Sequence, residues 1–238
     1  MPLMLNADLG EGIGADAAVM PHVHQANIAC GFHAGDQVTM HKTLRLAARH
    51  GVMIGAHPGY RDLEGFGRRS MSHTAEEIIA LLHYQMAALD GMALSQGLSL
   101  QYVKPHGALY NDMMSNDAVR WAVMEAVASF HRPLRLMIQA TPRSEQHLRE
   151  AERVGIDLWL EAFADRCYSD EGLLLPRSQP GAVHSREQTL TQVAQLRQEG
   201  SVMTAGGQRL PLLADTLCVH GDNPDSIGII RQIRELVG

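Results

Sequence analysis

Only three cysteines occur in 238 residues, Cys30, Cys167 and Cys218. Their odd number and wide spacing exclude a disulfide framework and a paired-cysteine zinc site, and fit a reduced, cytosolic chain. Aromatic residues are also scarce, with four Phe and two Trp against thirteen Met; the methionines read as adaptable core filler. No excess of positive charge is present. Twenty Lys and Arg against 26 Asp and Glu leave a formal charge of -6, which argues against a nucleic acid or an anionic membrane as partner. Long apolar runs are missing as well. Residues 1 to 5 are apolar, but the polar, acidic stretch from Asn6 to Glu11 follows at once, so neither a signal-peptide core nor a membrane span is expected. There is no HExxH, Walker A or GxSxG pattern, and Gly12-Ile13-Gly14 lacks the rest of a dinucleotide fingerprint.

What the chain does have is 45% hydrophobic residues, enough for one substantial core, and residues 1–238 read as one domain. Short apolar runs alternate with longer amphipathic segments, the pattern of βα units around a parallel sheet. Strands are predicted at 3–8, 26–30, 52–56, 101–104, 134–138, 157–161 and 215–219. Helices are predicted at 36–50, 74–97, 117–130, 143–154, 185–199 and 224–237. Thr74 with Glu77 forms a capping box, Gly51 and Gly155 act as stops, and Asn223-Pro224 opens the last helix. Residues 165–185 lack periodicity and read as a long loop with room for a small hairpin.

Polar residues follow the predicted strands: Asp8 and Glu11, His33 and Asp36, His57 and Asp62, Lys104 and His106, Glu161 and Asp165, His220 and Asp222. In a parallel barrel the C-terminal strand ends share one face, so these groups would converge there. Glycines beside them, among them Gly10, Gly35, Gly59 and Gly107, suit tight turns or close approach to a small ligand. Gly65-Phe66-Gly67-Arg68-Arg69 offers two guanidiniums for a carboxylate or phosphoryl group. The remaining histidines read as surface or packing groups, and His22-Val23-His24 lacks a third ligand for a metal.

At these same residues the chain resembles the LamB/YcsF family, the A subunits of prokaryotic ATP-dependent 5-oxoprolinase. The segments that carry the resemblance are Asn6-Ala-Asp8-Leu-Gly-Glu11, Ala26-Asn27 through Cys30-Gly-Phe-His33-Ala-Gly-Asp36, Gly55-Ala-His57-Pro-Gly-Tyr60-Arg-Asp62 with Gly65 to Arg69, Val103-Lys104-Pro-His106 to Tyr110-Asn111, Glu161 to Tyr168, and Val219-His220-Gly-Asp222. His22-Val-His24-Gln25 and Arg61 depart from the family pattern. The resemblance implies an α/β fold, a distorted seven-stranded (β/α) TIM-like barrel of the glycoside hydrolase/deacetylase type. It implies a cytoplasmic hydrolase that opens the lactam of 5-oxoproline to glutamate, with ATP and Mg used together with partner subunits B and C. Asp8, Glu11, His57, Lys104, His106, Asp165, His220 and Asp222 are the expected catalytic set. Asn27, His33, Asp36, Asp62, Arg68, Arg69, Tyr110 and Glu161 are the expected substrate-binding set. Two alternatives stay open: a metal-dependent hydrolase or deacetylase using Asp8, His57 and His106, and a noncatalytic lactam- or sugar-binding subunit.

Overall fold

A computed structural model describes residues 3–13, 16–220 and 226–237. Asp222 and the Asn223-Pro224 helix start fall outside them. The chain begins with β1 (Met4–Leu9), the short α1 (Asp16–Val19), a 3-10 turn (Met20–His22), β2 (Gln25–Ala29) and α2 (Gln37–His50). Next come β3 (Met53–His57), α3 (Ala75–Leu94), β4 (Leu100–Val103), α4 (Gly107–Ser115) and α5 (Asp117–Ala128). After β5 (Arg135–Gln139), α6 (Ser144–Val154) and β6 (Leu158–Phe163), the chain runs through a long loop into α7 (Arg186–Glu199). A hairpin, β7 (Ser201–Met203) and β8 (Arg209–Pro211), precedes β9 (Thr216–Cys218) and α8 (Ser226–Val237).

Seven strands close a parallel barrel in the order β1-β2-β3-β4-β5-β6-β9. Closure comes from β9, which pairs with β6 on one side and β1 on the other. The fold is an α/β TIM-like barrel, distorted by a register shift between Ile54 and Gly55 where β3 meets β4. At Gly55 a Cβ would run into the Tyr102 ring, so only glycine admits that inward tyrosine.

The helices sit where local chemistry places their ends. Thr74 and Glu77 make the reciprocal capping box that opens α3, and Ser185 with Gln188 does the same for α7. Gly51 and Gly155 end α2 and α6 in the left-handed conformation, where a side chain would add strain. Three features run beyond the sequence expectation: the short α1 with its 3-10 turn, α4, and the β7–β8 hairpin. The hairpin strands are three residues long, too short for alternation to show. In α4 the helix starts directly after His106, with no side-chain cap to announce it.

Strand alternation divides the barrel wall into two chemistries. Leu5, Ala7, Leu9, Ala26, Ile28, Ile54, Ala56 and Val103 are buried against the surrounding helices in the hydrophobic core. The inner face is polar. Asn27 Nδ2 donates to Asn6 Oδ1 at 2.8 Å, Tyr102 donates to Asn27 Oδ1 at 2.6 Å, and Thr216 donates to Gln25 Oε1 at 2.6 Å. Such a network holds a single register, because every shift of one residue would bury these donors in the apolar layer.

Candidate active site

The inner-face pattern continues upward into a charged floor. Lys104 is 2% exposed, and its Nζ lies 2.9 Å from Asp8 Oδ1, 2.9 Å from Glu161 Oε1 and 3.2 Å from Cys218 Sγ. Burial alone would lower the lysine pKa, but the neighbouring negative groups hold it well above its ordinary value. Burial likewise pushes the Asp8 carboxyl up, yet His57 and Lys104 outweigh it and keep Asp8 well below the usual carboxylate range. Asn27 Nδ2 also donates to Asp8 Oδ1 at 2.7 Å. Asp8 is therefore an ionised group with one oxygen tied down and Oδ2 facing His57 Nε2 at 3.4 Å. Tyr110 donates to Glu161 Oε2 at 2.8 Å, which completes the floor.

Above it three imidazoles meet Glu11. His57 Nδ1 faces the Lys104 carbonyl at 2.7 Å, and His106 Nε2 faces the Phe66 carbonyl at 2.8 Å. A carbonyl only accepts, so both outer nitrogens carry hydrogen. The inner nitrogens, His57 Nε2 and His106 Nδ1, lie 2.9 Å apart and present only lone pairs while both rings are neutral. The contact needs one additional proton or another cation. Burial, with His57 and His33 alongside, drives the His106 pKa down to about 2. His33 stacks on His106 at 3.7 Å and 4°, and burial holds its pKa well below its ordinary value. Glu11 Oε1 lies 3.4 Å from His33 Nε2 and 3.5 Å from His106 Nδ1. Burial and the Asp8 charge raise the Glu11 pKa, opposite to Asp8.

The 62–69 loop fixes this arrangement. Asp62 accepts from Gly65 N and Arg69 Nε, each at 2.9 Å. Phe66 is at φ 53, and this left-handed turn aims its carbonyl at His106. Gly67 passes so close that a Cβ would lie 2.6 Å from His33 Cβ and 2.8 Å from His106 Cδ2.

A cavity of about 580 Å³ opens over these groups, lined by Asp8, Glu11, His57, Lys104, His106 and His220 among others. Arg68 and Tyr110 also reach its wall. His220 Nδ1 bonds Asp165 Oδ2 at 2.9 Å, and this charge overcomes burial to keep the Asp165 pKa low. Asn27, His33 and Glu161 support the floor and the histidine stack. Asp62 and Arg69 pair with each other in the rim loop, and Asp36 caps α2 by accepting from Thr39 N at 2.7 Å; none of these three is in the cavity wall. Asp222 lies outside the described residues. Sequence reasoning misses Asn6, Cys218, Arg166 and Arg177. Asn6 and Cys218 each stand two residues before a chosen group, Asp8 and His220, and strand alternation puts them on the same inner face. His24, by contrast, is spent outside the barrel, accepting from Leu5 N at 2.8 Å and contacting Arg234.

Glu11, His33, His57 and His106 each offer a ligand atom within 4.8 Å of the others, and Asp8, Cys218 and His220 form a second such group. The parallel stack keeps the in-plane lone pairs of His33 and His106 on separate planes, so one ion cannot take both without a ring turning. Glu11 Oε1, His57 Nε2 and His106 Nδ1 are the donors of the first group that can face one divalent ion.

Residues 3–238 match the LamB/YcsF family. The 5-oxoprolinase A subunit of Pseudomonas fluorescens (strain Pf0-1) is 51% identical over 239 residues, spanning 98% of this chain and 96% of that protein. The corresponding 5-oxoprolinase A subunit of Vibrio campbellii is 52% identical over 98% of this chain and 94% of its own length. The solved lactam utilization protein of Thermus thermophilus superposes with a TM-score of 0.88 at 39% identity, over 99% of this chain and 96% of that one.

Proposed function

The chain belongs to the LamB/YcsF family, and from that premise we propose that it is the ring-opening subunit of a cytoplasmic ATP-dependent 5-oxoprolinase. The observation that carries the chemistry is the opposed pair of carboxyls, Asp8 held low and Glu11 held high, beside two histidines whose inner nitrogens lie 2.9 Å apart. Environments that push two carboxyls apart assign one as base and the other as acid. The relatives' names, 5-oxoprolinase A subunit and lactam utilization protein, support the substrate class.

A lactam is a resonance-stabilised amide, so opening it requires an activated carbonyl, a positioned water and a proton for the leaving nitrogen. In this reading ATP with Mg activates the carbonyl through partner subunits B and C, with ADP and phosphate released. Asp8 Oδ2 and His57 orient the attacking water. Glu11, whose pKa is raised by burial and the Asp8 charge, delivers the proton to the ring nitrogen, and the His57–His106 pair lies beside it to return one. Lys104 acts from below: its ammonium is already surrounded by Asp8, Glu161 and Cys218, so it keeps Asp8 ionised rather than meeting the substrate. His220, oriented by Asp165, borders the same space. The test is glutamate formation from 5-oxo-L-proline by the chain with subunits B and C, ATP and Mg, omitting each in turn. Glutamate only with the full set supports the reading. A folded Asp8→Ala assembly with full turnover would reassign the chain to a noncatalytic lactam-binding role.

One observation favours a second reading, a metal-dependent hydrolase. The facing lone pairs of His57 and His106, with Glu11 and Asp8 beside them, suit a divalent cation as well as a proton. Metal content after chelation and dialysis, and the visible spectrum of the Co²⁺-loaded chain, read this directly. A stoichiometric ion lost in His106→Ala, together with ATP-independent hydrolysis of an acylated sugar, would favour it.

A further inference from the structure

Three guanidiniums reach the cavity wall without a role in the chemistry above, Arg68 on the rim loop and two on the opposite side. Arg166 and Arg177 both line the cavity, and both belong to the long segment between β6 and α7. Arg166 is 7% exposed. Its Nε donates to the Ala182 carbonyl at 3.2 Å and its Nη2 to the Leu175 carbonyl, which ties the segment into an ordered arm. Further bonds, Cys167 N to Ala182 O and Leu175 N to Cys167 O at 3.0 Å each, stiffen it. Among the described residues the direct hydrogen bonds of Arg166 go to neutral carbonyls, and the nearby Asp165 carboxylate, itself bonded to His220, only partly offsets the two positive charges. Burial first, and then the nearby Arg177, lower the Arg166 pKa against the opposing pull of Asp165.

Burying a guanidinium without a carboxylate is costly unless an anion arrives to neutralise it. The barrel order decides which part of a ligand that anion is. The His57–His106 pair sits at the ends of β3 and β4, whereas Arg166 follows β6, three strands on from β3 around a seven-stranded ring. A group transferred onto the lactam oxygen would lie with the reacting carbonyl beside the histidines. The anion at Arg166 and Arg177 must be a remote one.

We infer that Arg166 and Arg177 form the subsite that recognises the substrate's carboxylate, so that the enzyme selects carboxylated lactams over neutral ones and presents the ring carbonyl to Asp8, Glu11 and His57. This rests on the lactam reading above. The subsite also explains why the cavity combines an acidic floor with a basic wall: the two ends orient one small zwitterion-forming substrate.

The experiment is steady-state kinetics of the full assembly with 5-oxo-L-proline, comparing wild type with Arg166→Gln, Arg166→Lys and Arg177→Gln, and with neutral 2-pyrrolidinone as a competing lactam. Loss of one charge-assisted contact is expected to raise KM about 10- to 100-fold while kcat changes far less. Inhibition by 2-pyrrolidinone should stay the same in all forms, and Arg166→Lys should recover part of the loss. Should Arg166→Gln fail to fold, the half-buried Arg177 carries the test alone. An unchanged KM overturns the inference; so does a fall in kcat at constant KM, which would place a phosphoryl group there. Parallel weakening of both lactams would reduce Arg166 to a loop staple and also overturn it. If the wild-type assembly makes no glutamate, the lactam reading itself falls and takes the subsite with it; if it does, failure of the variants to respond removes only the subsite.

Discussion

Replacing Lys104 by Met tests the electrostatic logic of the floor. The substitution keeps the length of the side chain and removes the charge that sits 2.9 Å from both Asp8 and Glu161. Deleting one partner of a buried ionic cluster costs about 3–5 kcal/mol, because the remaining charges lose their compensation. For a chain of this size that is a fall in Tm of about 6–20 °C. The loss should depend on pH in a definite direction. In the wild type the Asp8 carboxyl is held well below 3.8, so its contribution is complete above that value and disappears only as pH falls through the lower folded value. Without Lys104 only His57 and His220 still offset burial, so the carboxyl rises and its ionised form contributes less. The stability gap between wild type and Lys104→Met is therefore widest near pH 8 and narrows toward pH 4. Urea unfolding across that range measures it. A gap below about 1 kcal/mol at pH 8, or one that widens in acid, would refute the reasoning.

Glu11→Gln gives a complementary pH signature. The Glu11 carboxyl lies above its ordinary 4.5, so the wild type loses stability as pH rises from 4.5 through the folded value, while the permanently neutral Gln variant does not; its relative stability should climb over that window in the same urea series. Gly67→Ala places a methyl between His33 and His106 at a left-handed backbone position; it is expected to cost at least about 1 kcal/mol and to lower turnover at least about 10-fold by displacing the His106 ring. Thr74→Ala removes the capping box of α3, away from the cavity, and should cost about 1 kcal/mol with turnover intact; a loss of activity there would show that the site depends on helix entry. Asp8→Asn keeps the hydrogen-bonding shape and removes the charge, so turnover should fall about 100-fold or more while the lactam still binds.

Local patterns made much of this architecture legible. The capping box at Thr74, the stops at Gly51 and Gly155, and the apolar runs that became β1 to β6 and β9 all express interactions among near neighbours, where period and side-chain chemistry leave a direct trace. Polar groups just beyond those runs marked the end of the barrel that bears the cavity, since parallel strands share one C-terminal face. The short β7–β8 strands and α4 left no comparable trace, lacking length or a capping side chain.

The division of labour among the polar groups depended on tertiary contact. Asp62, Asp36 and His106 look alike in the chain as polar groups near strand ends, yet Asp62 closes a loop with Arg69, Asp36 caps a helix and His106 meets His57. Asp8 and Glu11 are three residues apart and chemically similar, but their pKa values diverge because His57 and Lys104, the latter 96 positions away in sequence, outweigh burial at Asp8, while burial and the Asp8 charge raise Glu11. Sequence alone determined the barrel and the face on which its chemistry gathers, because periodicity is a short-range property. Which carboxyl is ionised, which histidine nitrogen carries hydrogen and which arginine faces the cavity were decided only when closure of the barrel brought remote charges together, since electrostatic energy depends on distance and burial in space.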